Sequence, residues 1–244
     1  MHLKDILEFL SLKTMAANYE EEAKKALKRK DSYTDYLRNL AEEEMLGKLE
    51  RSVNAKIAKA KFPCTKTLEM FDYDFQPSID QRYIKELSNL GFMEKAENIL
   101  LVGPPGVGKT HLACAFGVKA CQERKRVLFY QAEKLLEDLI VAASTNTLPD
   151  KMAFLTRIDL LIIDELGYMP VGGDGANLLF QLVSRRYETG SIILTSNKPF
   201  DRWGEIFGDE TIASAILDRL LHHSHIFQIT GKSYRIKDKM DKKS

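Results

Sequence analysis

Gly103-Pro104-Pro105-Gly106-Val107-Gly108-Lys109-Thr110 matches the phosphate-binding pattern G-x-x-x-x-G-K-[ST] at every fixed position. The residue types follow from the chemistry. Glycines let a loop wrap closely, so that backbone N–H groups point inward at phosphate oxygens. The loop follows the apolar run Ile99–Val102 and opens a helical stretch, whose N-terminus adds a positive end. Lys109 then sets a cation near the β- and γ-phosphates, and the Thr110 hydroxyl is placed to ligate Mg²⁺. His111, the next residue into the helix, closes the expected nucleotide-binding set. A glycine-rich turn with no ligand has no need of the lysine and hydroxyl at these places. ATP and Mg²⁺ are therefore the expected cofactors.

Two further positions belong to the same chemistry. Leu160-Leu161-Ile162-Ile163 is a buried strand that ends in Asp164 and Glu165. Carboxylates at the carboxyl end of a central strand lie where open α/β sheets bind ligands. Asp164 is expected to hold Mg²⁺, and Glu165, one residue beyond the strand, to reach an attacking water as general base. A kinase acting on a small molecule needs no such glutamate, so the pair favours hydrolysis. The run Ile192–Thr195 leads into Ser196-Asn197, and Asn197 is placed to orient the water beside the γ-phosphate. The alternative there is an ordinary turn through Ser196-Asn197-Lys198-Pro199.

Positioning these groups requires a sheet. Apolar runs at Ile99–Val102, Val127–Tyr130, Leu160–Ile163, Ile192–Thr195 and Ile226–Ile229 alternate with amphipathic stretches at His111–Cys121, Glu133–Ala143, Ala176–Tyr187 and Ile212–Leu221. That alternation predicts an α/β fold, a five-stranded parallel sheet with helices on both faces. Residues 1–66 are different. They are free of proline up to Pro63 and carry helical spacing through Ile6, Leu7, Leu10 and Met15. Ser32 with Asp35 resembles a capping pair opening a second helix, with Tyr33, Tyr36, Leu37 and Leu40 on one face. Met45, Leu46, Leu49 and Val53 continue that stripe, and Phe62-Pro63 ends the helix. The expected organisation is a small all-helical N-terminal domain over 1–66 and a P-loop domain over 67–244, with 63–78 as an extended entry segment.

Composition bounds the function less sharply. The formal net charge is +1, with 44% hydrophobic residues. No apolar run approaches the roughly 20 residues that span a bilayer, and charge breaks the N-terminus too early for a signal peptide. Cys64, Cys114 and Cys121 form no CxxC pair and read as small buried apolar residues. A cytoplasmic location is expected. Bases cluster at Lys48, Arg51, Lys56, Lys59, Lys61 and Lys66, and again at Lys232, Arg235, Lys237, Lys239, Lys242 and Lys243. These segments fit a phosphate-backbone footprint and equally a solvated surface. His222, His223 and His225 crowd beside the last strand without an acid or cysteine at ligand spacing, and read as structural or interfacial rather than as a zinc site. Trp203 reads as an anchor in the core or a loop.

The P-loop, the acidic strand end and Asn197 together resemble the AAA+ ATPases, in the group of replication initiators and helicase loaders. Within it the chain is similar to the IstB-like ATP-binding helpers of insertion-sequence transposition. The segments Asp164–Tyr168, Ser184–Glu188, Thr195–Phe200, Trp203–Asp209 and Ile216–His223 carry the likeness, which extends into the helical N-terminal region. It implies an ATPase that forms homo-oligomers with ATP between subunits, binds duplex DNA with little sequence preference, and engages a transposase. Helicase loading is the rival activity that the resemblance admits. Arg219 matches the arginine finger, which is offered to the neighbouring subunit's γ-phosphate; Arg185 and Arg186 are rivals for subunit or DNA contacts. Many such ATPases carry a helical lid with a sensing arginine. Only a short basic tail follows Ile229, so no lid domain is expected, and Arg235 is a partial substitute.

Overall fold

The computed structural model describes residues 2–235, so Lys237, Lys239, Lys242 and Lys243 of the basic tail lie outside the described residues. By internal contacts the chain divides into two compact units, Met1–Ala55 and Lys56–Ser244.

The first unit is helical. Helices α1 (Leu3–Phe9), α2 (Lys13–Arg29) and α3 (Tyr33–Ala60) follow one another, with Ser11 in a left-handed conformation (φ 59°) between the first two. The spacing from Ile6 to Met15 therefore belongs to two helices, because the chain turns at Ser11. Ser32 caps α3 as expected, its Oγ accepting the Asp35 N–H at 3.1 Å. The predicted apolar stripe is only partly buried. Leu40 is covered, whereas Tyr33, Leu37, Met45 and Leu46 are exposed. What is buried instead includes a carboxylate: Glu44 accepts from Met15 N–H and from Arg51, both at 2.8 Å. Arg51 of the basic segment is thereby engaged inside its own unit.

The second unit begins within α3, earlier than the expected boundary between residues 66 and 67, because Ile57, Ala60 and Phe62 pack into its core. An entry segment with a single 3₁₀ turn at Leu68–Met70 leads to the short helices α4 (Gln81–Leu87) and α5 (Gly91–Glu94). Strand and helix then alternate: β1 (Asn98–Val102), α6 (Lys109–Gln122), β2 (Val127–Gln131), α7 (Ala132–Ser144), α8 (Leu148–Thr156), β3 (Leu160–Leu166), α9 (Gly173–Arg186), β4 (Ser191–Ser196), α10 (Trp203–Phe207), α11 (Glu210–Leu221) and β5 (Ser224–Gln228). All strands pair in parallel, as the apolar runs predict, and their order is β2-β3-β4-β1-β5.

Alternation along the strands sorts side chains to the two faces. Leu160 and Ile162 of β3, with Ile193 of β4, join α4, α5 and α6; Leu161, Ile163 and Leu194 join α7 to α11. Cys114 and Cys121 are buried in α6, and burial pushes the Cys121 thiol up to about 11. Cys64, expected buried, is exposed, because it lies in the entry segment and not in an element that packs on the sheet. Trp203 is fully buried, its ring against Phe200 and Phe207.

Arg186, a candidate for DNA or subunit contacts, is instead a core residue, 1% exposed. Its guanidinium donates to the carbonyls of Leu155 (2.7 Å), Ile158 (2.8 Å) and Ser191 (2.8 Å), joining α8, α9 and β4. Burial lowers its pKa to about 10. Arg186→Ala strands three carbonyls and is expected to cost about 3–5 kcal/mol of stability. Chemical denaturation would measure it, and a loss below about 1 kcal/mol would show that water replaces the guanidinium there. Arg185 beside it is exposed.

Candidate functional site

The P-loop runs from the end of β1 into α6. Gly106 and Gly108 have φ of +82° and +99°, a region that favours glycine. A Cβ on Gly108 would also stand 2.6 Å from the Phe71 ring, so entry segment and loop pack too closely for any other residue. Lys109 is 7% exposed, and its ammonium donates to the carbonyls of Gly103 (2.6 Å) and Pro104 (2.8 Å). Burial lowers its pKa, Arg235 lowers it further, and the charges of Asp164 and Glu165 oppose the shift. His111, at the far side of the loop, meets the Thr67 carbonyl at 2.9 Å and the Phe71 ring edge-on.

Thr110 Oγ1 lies 3.0 Å from each oxygen of Asp164, so the two expected metal ligands are adjacent although 54 residues separate them. A hydroxyl and a carboxylate side by side form the oxygen-donor set that suits Mg²⁺, and they fit that ion. Asp164 shares the strand face of Leu160 and Ile162, which is the α6 face. It is 2% exposed, and burial raises its pKa; hydrogen bonds from Thr195 and Thr110 and the charge of Lys109 partly offset this.

Thr195 was not among the residues singled out from sequence. It lies on β4, between β1 and β3, on the face shared with Ile193. Its hydroxyl donates to Asp164 Oδ1 at 2.6 Å and accepts the Glu165 N–H at 2.9 Å. The signal for it was a hydroxyl next to the carboxyl end of a strand whose middle, Ile192–Leu194, is apolar.

Glu165 lies within β3, not beyond it, because the strand continues to Leu166. Strict alternation would turn Glu165 toward the α7–α11 face. A register shift between Ile163 and Leu166 and a left-handed backbone (φ 64°) at Glu165 break that alternation. Bulges of this kind re-aim side chains beside functional sites, and a non-glycine residue at positive φ is a strained position held by its surroundings.

These groups open on a cavity of about 350 Å³ with Lys109, Thr110, Glu165 and Thr195 on its walls. Phe71, Tyr168 and Tyr234 give the lining an aromatic side, and Lys66 and Arg235 set two bases beside the carboxylate of Asp72. Asn197 and Arg219 are not part of this wall. Asn197 follows β4, its buried Oδ1 unpaired among the described residues, beside Gly167. Arg219, on α11, donates to the Ala215 carbonyl at 3.1 Å and stacks on Phe180 at 4.6 Å.

A family model described as "IstB-like ATP binding protein" matches residues 6–242. This chain belongs to the IstB-like ATP-binding family. The putative ATP-binding protein of insertion sequence IS21 from Pseudomonas aeruginosa is 45% identical over 98% of this chain and 91% of its own length. That of IS5376 from Geobacillus stearothermophilus is 44% identical over 94% and 92%. Among solved structures, AMPPCP-bound DnaA from Aquifex aeolicus aligns with a TM-score of 0.59 at 20% identity, over 75% of this chain and 56% of that one. The DnaC helicase loader aligns at 0.52 and 20%, over 62% and 88%. These alignments show that the chain shares the fold of DnaA and DnaC. Family, fold and an assembled P-loop cavity agree on an ATPase.

The raised pKa of Asp164 has a consequence for stability in this IstB-like chain. A folded-state value above the unfolded one means that ionising Asp164 disfavours the fold. That penalty sets in as pH rises above the ordinary carboxylate range and is complete above the folded-state value. Asp164→Asn removes it while keeping acceptor capacity for Thr110 and Thr195. At pH 7 the nucleotide-free variant is expected to melt higher than the parent and to lose ATP turnover. A lower melting temperature would show that the buried charge stabilises the fold.

Proposed function

We propose that this chain is an ATP-dependent, DNA-binding helper of transposition, which assembles on duplex DNA with ATP, recruits or activates a transposase, and hydrolyses ATP to remodel or release the complex. The match to an insertion-sequence ATP-binding family along residues 6–242, with a cavity lined by Lys109, Thr110 and Glu165, carries this reading. The loader alternative rests on likeness to DnaC at 20% identity, which is a statement about fold.

Each residue has a role in the proposed reaction. The P-loop amides and Lys109 bind the β- and γ-phosphates of ATP. Thr110 and Asp164 hold Mg²⁺, which when bound neutralises phosphate charge. Thr195 fixes Asp164 by one bond and the Glu165 backbone by another, so the metal ligand and the base are set by one hydroxyl. Glu165 takes the proton of the water that attacks the γ-phosphorus, and Asn197 orients that water on turning its side chain toward the cavity, since its Oδ1 is buried off the cavity wall. Phe71, Met70 and His111 supply the flat apolar wall that suits a nucleobase. Arg219 serves the neighbouring subunit's ATP. No helix of the described residues is long and apolar enough to cross a membrane.

DNA contact in this scheme uses lysines such as Lys56, Lys59 and Lys61, together with the basic tail. Sedimentation or anisotropy with duplexes of unrelated sequence tests it. Binding is expected only with ATP, with similar affinity for each duplex. If about 6–10 phosphates are contacted, affinity should drop about 10³–10⁵-fold between 50 and 200 mM salt. Salt-insensitive binding to one sequence, or binding to single strands alone, would count against the duplex scheme.

A further inference from the structure

Glu188, His222 and His223 come together at the end of the sheet opposite the P-loop. Helix α9 stops just before Glu188, and β4 starts at Ser191; α11 stops at Leu221, and β5 starts at Ser224. Because all strands are parallel, both junctions lie at the amino ends of the strands, whereas the nucleotide cavity lies at their carboxyl ends. The spacing around the histidines offers no acid, but the fold supplies one from 34 residues upstream of His222. The three residues are exposed, and one ligand atom from each lies within 4.8 Å of the others. His223 Nε2 and Glu188 Oε1 are 3.7 Å apart.

We propose that Glu188, His222 and His223 bind a divalent transition-metal cation of the Zn²⁺ class, with two imidazoles and one carboxylate as ligands. Two imidazoles with a carboxylate form a donor set that zinc takes in open sites, leaving further positions to water. Around a tetrahedral ion with bonds near 2.1 Å the donors stand roughly 3.4 Å apart. The set must therefore close by about 1 Å, which exposed side chains do without disturbing the core.

Two independent features favour a cation here. The first is an outer partner for a ligand. Tyr187 Oη lies 2.7 Å from His222 Nδ1. With Nδ1–H donated to Tyr187, the His222 Nε2 lone pair is left for the metal. Metal-ligating histidines are fixed in this way. The second is that the carboxyl ends of α9 and α11 converge at the site, and helix carboxyl ends carry partial negative charge. His225 takes no part, since its ring nitrogens meet Tyr83 Oη at 2.6 Å and Glu97 at 2.9 Å. A bound ion would tie the end of α11, less than one turn beyond Arg219, to the end of α9. The site does not depend on the nucleotide reading, and it is tested without ATP.

The experiment uses untagged full-length chain stripped with a chelator, titrated with Co²⁺ for its visible spectrum and with Zn²⁺ by calorimetry. One Co²⁺ per chain is expected, with the intense d–d bands of a four- or five-coordinate ion that Zn²⁺ then displaces. His222→Ala, His223→Ala and Glu188→Gln should each weaken binding at least about tenfold, and Tyr187→Phe by about 10-fold through loss of the orienting bond. His2→Ala, outside the cluster, should bind as the parent does. Circular dichroism of the stripped variants checks that they fold, as exposed positions allow. No saturable binding below millimolar metal, or affinity that survives His222→Ala and His223→Ala, would overturn the site. Unchanged affinity in Glu188→Gln would remove the carboxylate and with it the proposed ligand set.

Discussion

Arg219→Ala is expected to cut ATP turnover by about 10³–10⁵-fold, the range of an arginine finger, while each subunit still binds ATP. The geometry explains the separation of effects. Arg219 is absent from the wall of its own cavity, so cis binding does not use it. Its guanidinium is presented by the stack on Phe180 and one bond to the Ala215 carbonyl, and no carboxylate hydrogen-bonds it among the described residues. Steady-state hydrolysis with a parallel nucleotide-affinity measurement gives the split. A mixing experiment then tests the trans role. Arg219→Ala subunits keep Lys109 and Glu165, while Glu165→Gln subunits keep Arg219. Mixed oligomers should regain turnover that neither variant has alone. If the mixture stays at the level of its parts, Arg219 does not act across a subunit boundary.

The second large effect is at Glu165. Removing a positioned general base typically costs about 10²–10⁴ in rate, and Glu165→Gln should fall in that range. The bulge that carries residue 165 is held through the backbone, by Thr195 accepting its N–H, and glutamine keeps that bond. ATP binding and ATP-dependent DNA binding should therefore persist, and, with hydrolysis driving release as proposed, the variant should accumulate on DNA. A single-turnover assay with labelled ATP, beside a DNA-retention assay, reads both. Turnover above about a tenth of the parent's would mean that another group, or water alone, accepts the proton.

Much of this was legible in the chain. The P-loop announces itself because a phosphate cradle is made by consecutive residues, so every requirement falls within eight positions. The five strands were visible because a parallel sheet covered on both faces buries both sides of each strand. The run Ile226–Ile229 shows the limit. The strand there is Ser224–Gln228, shifted toward polar residues because its burial is incomplete at this edge of the sheet. The helix at Leu148–Thr156 was missed, its short amphipathic pattern broken by Pro149 at the start.

What the sequence by itself determined were the local, contiguous features: cradle, acidic strand end and parallel fold. Tertiary structure decided whatever depends on residues far apart in the chain. It removed Arg186 from the surface, because three carbonyls from separate segments converge on it. It brought in Thr195, whose role exists only because β4 lies between β1 and β3. It re-aimed Glu165 through a bulge that no spacing rule records, and it set Glu188 beside His222 and His223. The physical reason is common to all four. Periodicity fixes which face of an element a side chain occupies, but only the packing order of elements fixes what it meets there.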